Sequence, residues 1–290
     1  MFKNTAVYFA SVITFLFSHF ALAHGGHYPE VKVPDTQVRQ FHSTIYKKDY
    51  VLSISLPEGY DPRGQETYPT LYVLDGNMYF ATTVQSYRVQ RLGNDVPPMI
   101  IVGIEYPTES LDAWLVRRAI ELTPTNNAEF DKQYAEQYKM PTHSGEAATF
   151  LKVLQKEIIP TIEQSFSTSG KRALFGHSLG GLFATYSLLQ EKPLFDHYLI
   201  SSPSLWWDDE VIFKQEDSYA SSNKDLNAKV TLSVGSLEGP LMVPPMQKMG
   251  EALKVRKYKS LDITTHVFVN ETHLSVQPGT LSRGLRVLFD

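Results

Sequence analysis

The stretch KRALFGHSLGGLFATYSLLQ, residues 171–190, decides the fold of this chain. It joins an apolar, strand-like run over 171–175 to an apolar run over 179–190 that has the length of a helix. Between them, residues 176–180 read G-x-S-x-G, the pattern of a sharp turn that lifts a serine hydroxyl clear of the backbone. Glycines on both sides leave room for such a turn. The context therefore predicts Ser178 as a nucleophile at the end of a strand, and disfavours an ordinary turn around a buried serine.

Strand-like and helix-like segments alternate on both sides of this stretch. Two β-rich runs, 39–46 and 50–56, predict an opening hairpin. Short apolar runs predict buried parallel strands over 70–74, 99–104, 171–175, 197–201, 229–234 and 262–269. Helices are expected over 78–91, 146–166, 179–190 and 245–258, and 280–289 closes the fold. The sequence thus predicts an α/β-hydrolase fold: a mostly parallel central sheet with antiparallel leading strands and helices on both faces.

One catalytic domain is expected over 38–290, because a chain of this length can bury a large core without dividing. Residues 24–37 are polar and are expected to form a loose N-terminal arm. The segment 106–145 interrupts the pattern, since it is polar, contains three prolines and is long for a plain connection. It is predicted either as a substrate-side excursion or as a mobile loop.

Residues 1–23 have the features of a secretory signal peptide. Lys3 precedes an apolar run over 6–17, and residues 21–23 match the A-x-A cleavage pattern. Cleavage after Ala23 would place the mature chain in the periplasm or outside the cell, with no membrane span left in it. The alternative is an uncleaved membrane anchor, for which the apolar run is short.

The composition excludes several classes of site. The chain has no cysteine, which excludes disulfides, thiolate metal sites and cysteine nucleophiles. A formal net charge of −4 with no basic block argues against nucleic acid as a partner. Nothing in the sequence predicts the oligomeric state.

The general base is expected among the histidines that follow Ser178, because in this fold the catalytic residues follow the chain order serine, acid, histidine. His197 and His266 fall in or beside predicted strands, where packing explains them. His273 follows the last strand on a loop. Catalytic groups collect at the carboxyl ends of parallel strands, so His273 is the predicted base.

Glu238 is the predicted acid, because it is the carboxylate in the turn 235–239 after the next-to-last strand. From there it could accept the Nδ1–H of His273 and hold the imidazole in one tautomer. Asp208 and Asp209 are the alternatives, since they follow the preceding strand.

An oxyanion hole in this fold uses two backbone N–H groups. One is expected from Leu179, the residue after the nucleophile. The other is expected from the loop 74–77, where Asn77 is preferred and Gly76 is next. A plain turn would explain the composition of that loop equally well.

Two pairs of residues are candidates for binding substrate. Trp206 and Trp207 could line a pocket for an aryl or acyl group, or pack in the core beneath the site. Arg117 and Arg118 could bind an anionic substrate by charge-assisted hydrogen bonds. A solvated or ion-paired surface is the favoured alternative for both arginines.

Four motifs together resemble a known family: LYVLDGN over 71–77, RRAIELTP over 117–124, GHSLGG over 176–181 and SPSLWW over 202–207. They are similar to motifs of the α/β-hydrolase esterases related to esterase D and to the periplasmic siderophore esterases that act on salmochelin and enterobactin. The resemblance covers residues 38–289. Glu121 stands where that family more often has Asp.

The resemblance implies serine esterase chemistry on a small-molecule ester, without a metal or organic cofactor. Ser178 would carry the acyl group and His273 would move the proton. A Ser–His pair is often described for the siderophore esterases, so the need for Glu238 stays open. The ester stays open too, since relatives cleave trilactone siderophores, simple acyl esters and thioesters. Two further functions fit the fold: an acyltransferase that passes the acyl group to an alcohol, and a non-catalytic binding module.

Overall fold

The computed structural model describes residues 32–290. The predicted signal peptide over 1–23 and the first eight residues of the predicted N-terminal arm lie outside the described residues. The first strand begins at Thr36, two residues before the predicted start of the domain. No helix within 32–290 has the length and apolar character needed to cross a membrane.

Eight strands form one sheet within the described part of the chain. They are β1 (Thr36–Ser43), β2 (Lys48–Ser55), β3 (Tyr68–Val73), β4 (Ile100–Glu105), β5 (Thr168–His177), β6 (His197–Ser201), β7 (Ala228–Gly235) and β8 (Leu261–Phe268). Their order is β1-β2-β4-β3-β5-β6-β7-β8. Strand β2 runs antiparallel to β1 and β4, and the other neighbouring pairs are parallel. This sheet confirms the predicted α/β-hydrolase architecture.

Helices cover both faces of the sheet. They are α1 (Gly76–Leu92), α2 (Leu111–Glu121), α3 (Ala128–Tyr138), α4 (Ala147–Val153), α5 (Ile159–Ser165), α6 (Leu179–Leu188), α7 (Trp207–Ser222), α8 (Val243–Val255) and α9 (Gln277–Phe289). Helices α1 and α9 pack together on one face, in a buried cluster that includes Leu71 and Val73 of β3. Tyr72 and Leu74 belong to the larger cluster on the opposite face, together with α6. This alternation is what a strand buried on both faces requires.

The predicted helix over 146–166 is divided in the structure. A π-helical turn, Leu154–Ile158, separates α4 from α5, and Pro160 lies in the first turn of α5. Proline lacks an N–H group and its ring clashes with the carbonyl four residues earlier. A wider turn just before Pro160 avoids this clash.

The segment 106–145 contains two helices that its polar composition did not predict. Both have a side-chain N-cap: Ser110 accepts a hydrogen bond from the N–H of Ala113 in α2, and Asn127 accepts one from Phe130 in α3. Helix α2 packs against α3, α4 and α6. The segment is therefore a folded excursion that reaches the helix following β5.

Candidate active site

Ser178 occupies the turn between β5 and α6, with φ +60° and ψ −119°. A non-glycine residue rarely adopts a positive φ, and such strain is often found at functional sites. The two flanking glycines permit the turn, because a Cβ atom on Gly176 would lie 2.1 Å from the carbonyl oxygen of Gly180. The predicted glycine requirement thus has a direct steric cause.

Backbone hydrogen bonds hold the turn on both sides of the serine. The N–H of Ser178 donates to the carbonyl of Ser201 at 3.1 Å, and its carbonyl accepts from Leu182 and Ser204 at 3.0 Å each. The Ser178 Oγ lies 3.4 Å from the Ser204 Oγ. Ser204 therefore contacts the candidate nucleophile through both backbone and side chain, a contact that the sequence did not predict.

His273 and Glu238 form a hydrogen-bonded pair, with 2.7 Å between Nδ1 and Oε2. The Glu238 side chain is 0% exposed, whereas that of His273 is 35% exposed. A carboxylate can only accept hydrogen bonds, so Nδ1 of His273 carries the proton when Glu238 is ionised. Nε2 is then the basic nitrogen, which is the tautomer that a general base needs.

Three hydrogen bonds keep Glu238 ionised despite its burial. Its Oε1 accepts from the hydroxyl of Ser202 and from the N–H of Gly235, both at 2.6 Å, and Oε2 accepts from His273. Burial alone would raise the pKa of Glu238, but the hydrogen bonds from His273, Ser202 and Gly235 outweigh it and lower that pKa below its ordinary value. Ser202 is a further part of the site that the sequence did not predict.

The imidazole of His273 lies against the turn that carries Ser178. Its ring centroid is 4.5 Å from that of His177, the residue before the serine. Burial first, and then the neighbouring imidazole of His273 and the positive charge of Arg118, hold the pKa of His177 well below its usual range, so His177 packs as a neutral ring. The structure describes both Ser178 and His273. It shows no direct hydrogen bond between the Ser178 Oγ and the imidazole of His273. Many catalytic hydrogen bonds close only when substrate is bound.

The predicted oxyanion donors lie at two helix N-termini. Leu179 begins α6 and Gly76 begins α1, and the first N–H groups of a helix have no acceptor within it. The Asn77 side chain is held by the backbone of Tyr106, accepting from its N–H at 2.8 Å and donating to its carbonyl at 2.9 Å. The amide side chain of Asn77 is therefore occupied, and its backbone N–H stays the predicted oxyanion donor.

The two segments that carry the predicted oxyanion donors adjoin because β3 and β5 are parallel neighbours. Their carboxyl ends share one edge of the sheet, and the Leu74 N–H donates to the Phe175 carbonyl at 3.0 Å. The loop after β3 and the turn after β5 are thereby brought together.

Trp207 does not face a pocket. It is 0% exposed, and its Nε1–H points at the Thr125 hydroxyl at 3.2 Å. The sequence left two alternatives for Trp207, a substrate pocket or the core. The structure places Trp207 in the core, so its assignment to substrate binding is corrected. Trp206 is half-buried, with its ring centroid 6.1 Å from that of Trp207, and stays a candidate for binding substrate.

Arg117 and Arg118, the candidates for an anionic substrate, are both ion-paired, which was the alternative that the sequence favoured. Arg117 donates through Nε to the fully buried carboxylate of Glu121, one helical turn away. Arg118 is buried and donates to the carboxylate of Asp75. Both guanidinium groups pair with fully buried carboxylates, because a buried carboxylate requires a cationic or hydrogen-bonding partner.

The alternative acids and bases have other contacts. Asp208 accepts a hydrogen bond from the Thr125 hydroxyl at 2.6 Å. The rings of His197 and His266 pack on Phe289 and Phe268. Among these candidates, it is Glu238 and His273 that contact each other.

The sequence and the fold are similar to those of known proteins. A family model described as "Putative esterase" matches residues 43–269. The ferri-bacillibactin esterase BesA of Bacillus subtilis (strain 168) is 31% identical over 272 residues, which cover 90% of this chain and 92% of BesA. A crystal structure of BES protein from Bacillus cereus superposes with a TM-score of 0.79 at 32% identity, covering 91% of this chain and 99% of that one. An IroE-like serine hydrolase from Shewanella oneidensis has a TM-score of 0.73 at 28% identity, covering 88% and 80%.

Proposed function

The chain belongs to the esterase family whose model spans residues 43–269, and from this premise we propose that it is a serine esterase that hydrolyses siderophore esters. The observation that carries the proposal is the strained turn that presents Ser178 beside an imidazole hydrogen-bonded to a buried carboxylate. A relative at 31% identity named as a ferri-bacillibactin esterase supports the substrate class. A structural neighbour named as a serine hydrolase supports the nucleophile.

Acylation begins when the Ser178 Oγ attacks the carbonyl carbon of the ester. A new O–C bond forms, the hydroxyl proton passes to Nε2 of His273, and the carbonyl oxygen becomes an oxyanion. When the ester C–O bond breaks, the leaving alkoxide takes the proton from His273. Water then repeats the sequence on the acyl-enzyme and releases the acid.

Two features of the site lower the barrier to these steps. The ionised Glu238 stabilises the imidazolium that His273 becomes, and it holds the ring in orientation. The backbone N–H groups of Leu179 and Asn77, with Gly76 nearby, stabilise the oxyanion. One such donor contributes roughly 10²- to 10³-fold to kcat in a serine hydrolase. These steps require no cofactor.

The proposed substrate is a cyclic triester of the siderophore type. Where such an ester carries aryl groups, the half-buried ring of Trp206, two residues after Ser204, offers an aromatic surface for them. The predicted signal peptide over 1–23 would place the hydrolysis in the periplasm or outside the cell.

A comparison of substrates tests this proposal. We expect kcat/KM for ferric or iron-free bacillibactin to exceed that for p-nitrophenyl butyrate by roughly 100-fold, because binding energy from the remote parts of a large substrate contributes to catalysis. Release of the linear acid is measured by chromatography. The reverse order would indicate a general esterase, and an ester product formed with an added alcohol would indicate an acyltransferase.

Glu238→Gln tests the role of the acid. The amide cannot stabilise an imidazolium and can present an N–H to His273, so we expect kcat to fall about 10³-fold with little change in KM. Steady-state hydrolysis of p-nitrophenyl butyrate measures both constants. Glu251→Gln, an exposed change on α8, is the matched control. A loss below 10-fold would instead support catalysis by Ser178 and His273 alone.

We also expect the free energies of unfolding of the wild type and of Glu238→Gln to differ by an amount that depends on pH. The pKa of Glu238 is lower in the folded chain than in the unfolded chain, so its ionisation stabilises the fold. The contribution is complete above the unfolded pKa of about 4.3 and is lost as the pH falls through the lower folded value. Urea unfolding of the wild type and of Glu238→Gln should therefore differ at pH 7 and converge in acid. A difference that stays constant from neutral to acidic pH would contradict the assignment.

A further inference from the structure

We infer that two copies of this chain pair along β8, an edge strand of the sheet, and form a symmetric dimer with one continuous sheet. The inference is independent of the proposed esterase function. It rests on the backbone groups that β8 leaves unpaired, on the composition of the strand, and on how β8 would face a second copy of itself.

Strand β8 forms an open edge of the sheet. It pairs with β7 over its whole length, from Leu261 to Phe268, without a register shift. In the part of the chain that the structure describes, no strand lies on its outer side. An edge of this kind presents a row of N–H and C=O groups to which another strand can be added.

Alternate residues of β8 direct their backbone groups outward. At the two ends of the ladder, the carbonyls of Ser260 and Phe268 accept hydrogen bonds from the N–H groups of Ala228 and Ser236. Because the two sides of a strand bond through alternate residues, the even-numbered residues of β8 are bonded to β7. The outward groups therefore belong to the odd-numbered residues, which are Leu261, Ile263, Thr265 and Val267.

Strand β8 lacks the features that usually protect an edge from pairing. Its sequence, LDITTHVF, contains no proline, lysine or arginine, and its ladder with β7 has no bulge. Its acidic residue, Asp262, lies near the start of the strand, and the side chain is 67% exposed. At the opposite edge of the sheet, β1 carries Arg39 in its middle. Of these two edges, β8 is thus the one that favours pairing.

In an antiparallel pair of β8 strands, the outward groups bond each other when the two-fold axis passes through Thr264. Ile263 then faces Thr265 of the second copy. Leu261 likewise faces Val267 of the second copy, and each such pair exchanges two N–H···O bonds. A shift of one residue would place outward groups opposite inward groups and lose these bonds.

The side chains of β8 are self-complementary in this register. On the face toward α8, Leu261 lies opposite Val267, and both are half-buried against the core. On the other face, the carboxylate of Asp262 lies opposite the imidazole of His266 of the second copy, which can donate a hydrogen bond to it. A shift of two residues in either direction would separate the carboxylate from the imidazole. The side chains therefore favour the register with the axis at Thr264.

Thr264→Cys tests the pairing directly, because the chain has no cysteine of its own. On the two-fold axis the two Cα atoms would lie about 4.5 Å apart, within the range of about 4.4 to 6.8 Å that a disulfide accepts. Diamide, which takes up the two thiol hydrogens, should convert this variant to a disulfide-linked dimer on non-reducing electrophoresis. Asp262→Cys is the matched control, since this exposed position faces His266 and should not cross-link to itself. A mixture of Asp262→Cys with His266→Cys should cross-link.

Ile263→Pro tests the hydrogen bonds at the edge. The N–H of Ile263 faces away from β7, so proline removes no bond of the monomer, and edge strands tolerate proline at such positions. Each copy loses one inter-strand bond, so we expect the dissociation constant of the dimer to rise about 30-fold. Sedimentation velocity over a concentration series measures it, and circular dichroism reports the fold.

Val38→Pro is the matched control for this variant. The carbonyl of Asp35 accepts from the N–H of Leu56 in the ladder of β1 with β2, so by the same alternation the N–H of Val38 faces away from β2. The change thus removes an outward N–H at the opposite edge of the sheet. It should leave the dissociation constant of the dimer unchanged.

A wild type that sediments as a monomer throughout the micromolar range would overturn the inference, even if it bound an extended peptide or another protein at β8. A dimer in which Thr264→Cys does not cross-link would also overturn it, because the two copies would then meet at another surface. If Ile263→Pro does not fold, the cross-linking of Thr264→Cys against Asp262→Cys decides the question.

Discussion

Replacing Ser178 with alanine is expected to lower kcat for ester hydrolysis by roughly 10⁶-fold, the loss found when the nucleophile of a serine hydrolase is removed. Without Oγ no acyl-enzyme can form. The backbone turn is unaffected in principle, because alanine and serine have the same Cβ at the positive φ of this position. We therefore expect a folded and almost inactive protein.

Two measurements check this result. Turnover of bacillibactin or p-nitrophenyl butyrate gives the rate, and intact mass after treatment with a fluorophosphonate gives the covalent adduct. The wild type should gain one adduct and Ser178→Ala none. Ser187→Ala, a buried change on the same helix whose hydroxyl contacts Tyr198, should keep both activity and labelling. Activity of Ser178→Ala within 10-fold of the wild type would exclude the acyl-enzyme mechanism.

Replacing His273 with alanine is expected to have an effect of similar size, again about 10⁶-fold on kcat, because the nucleophile and its base act as a unit. The variant leaves Ser178 without a proton acceptor and leaves Glu238 without its Oε2 partner. Reaction with the fluorophosphonate should slow in parallel, since it requires the same activated hydroxyl.

The two other histidines that follow Ser178 are the controls. His266→Ala on β8 and His197→Ala on β6 remove rings that pack on phenylalanines, and both variants should keep kcat within a few-fold of the wild type. If His266→Ala were inactive and His273→Ala active, the base would have to be reassigned. Far-ultraviolet circular dichroism separates a lost base from a lost fold in each case.

The contacts of Arg118 change how the excursion over 106–145 is understood. A polar insertion near an active site is often taken for a substrate-binding element. Here its helix α2 sends a cation inward, to the carboxylate of Asp75 and the carbonyl of His177.

Local sequence patterns were sufficient to predict the sheet and to favour Glu238 as the partner of His273. Strand and helix periods depend on neighbouring residues, and the turn at Ser178 requires glycines whose spacing is visible in the chain. Glu238 and His273 could be paired in advance because each follows a strand, and the carboxyl ends of adjacent parallel strands meet at one edge.

Only the tertiary structure decided which way the remaining side chains point. Arg117 and Arg118 are consecutive in sequence, yet each binds a different buried carboxylate, and Trp207 lies in the core while Trp206 stays half-buried. Such orientations depend on partners far apart in sequence, such as Asp75, which lies 43 positions before Arg118. Periodicity reports which face of an element is apolar, whereas an ion pair between distant segments depends on how those elements pack in three dimensions.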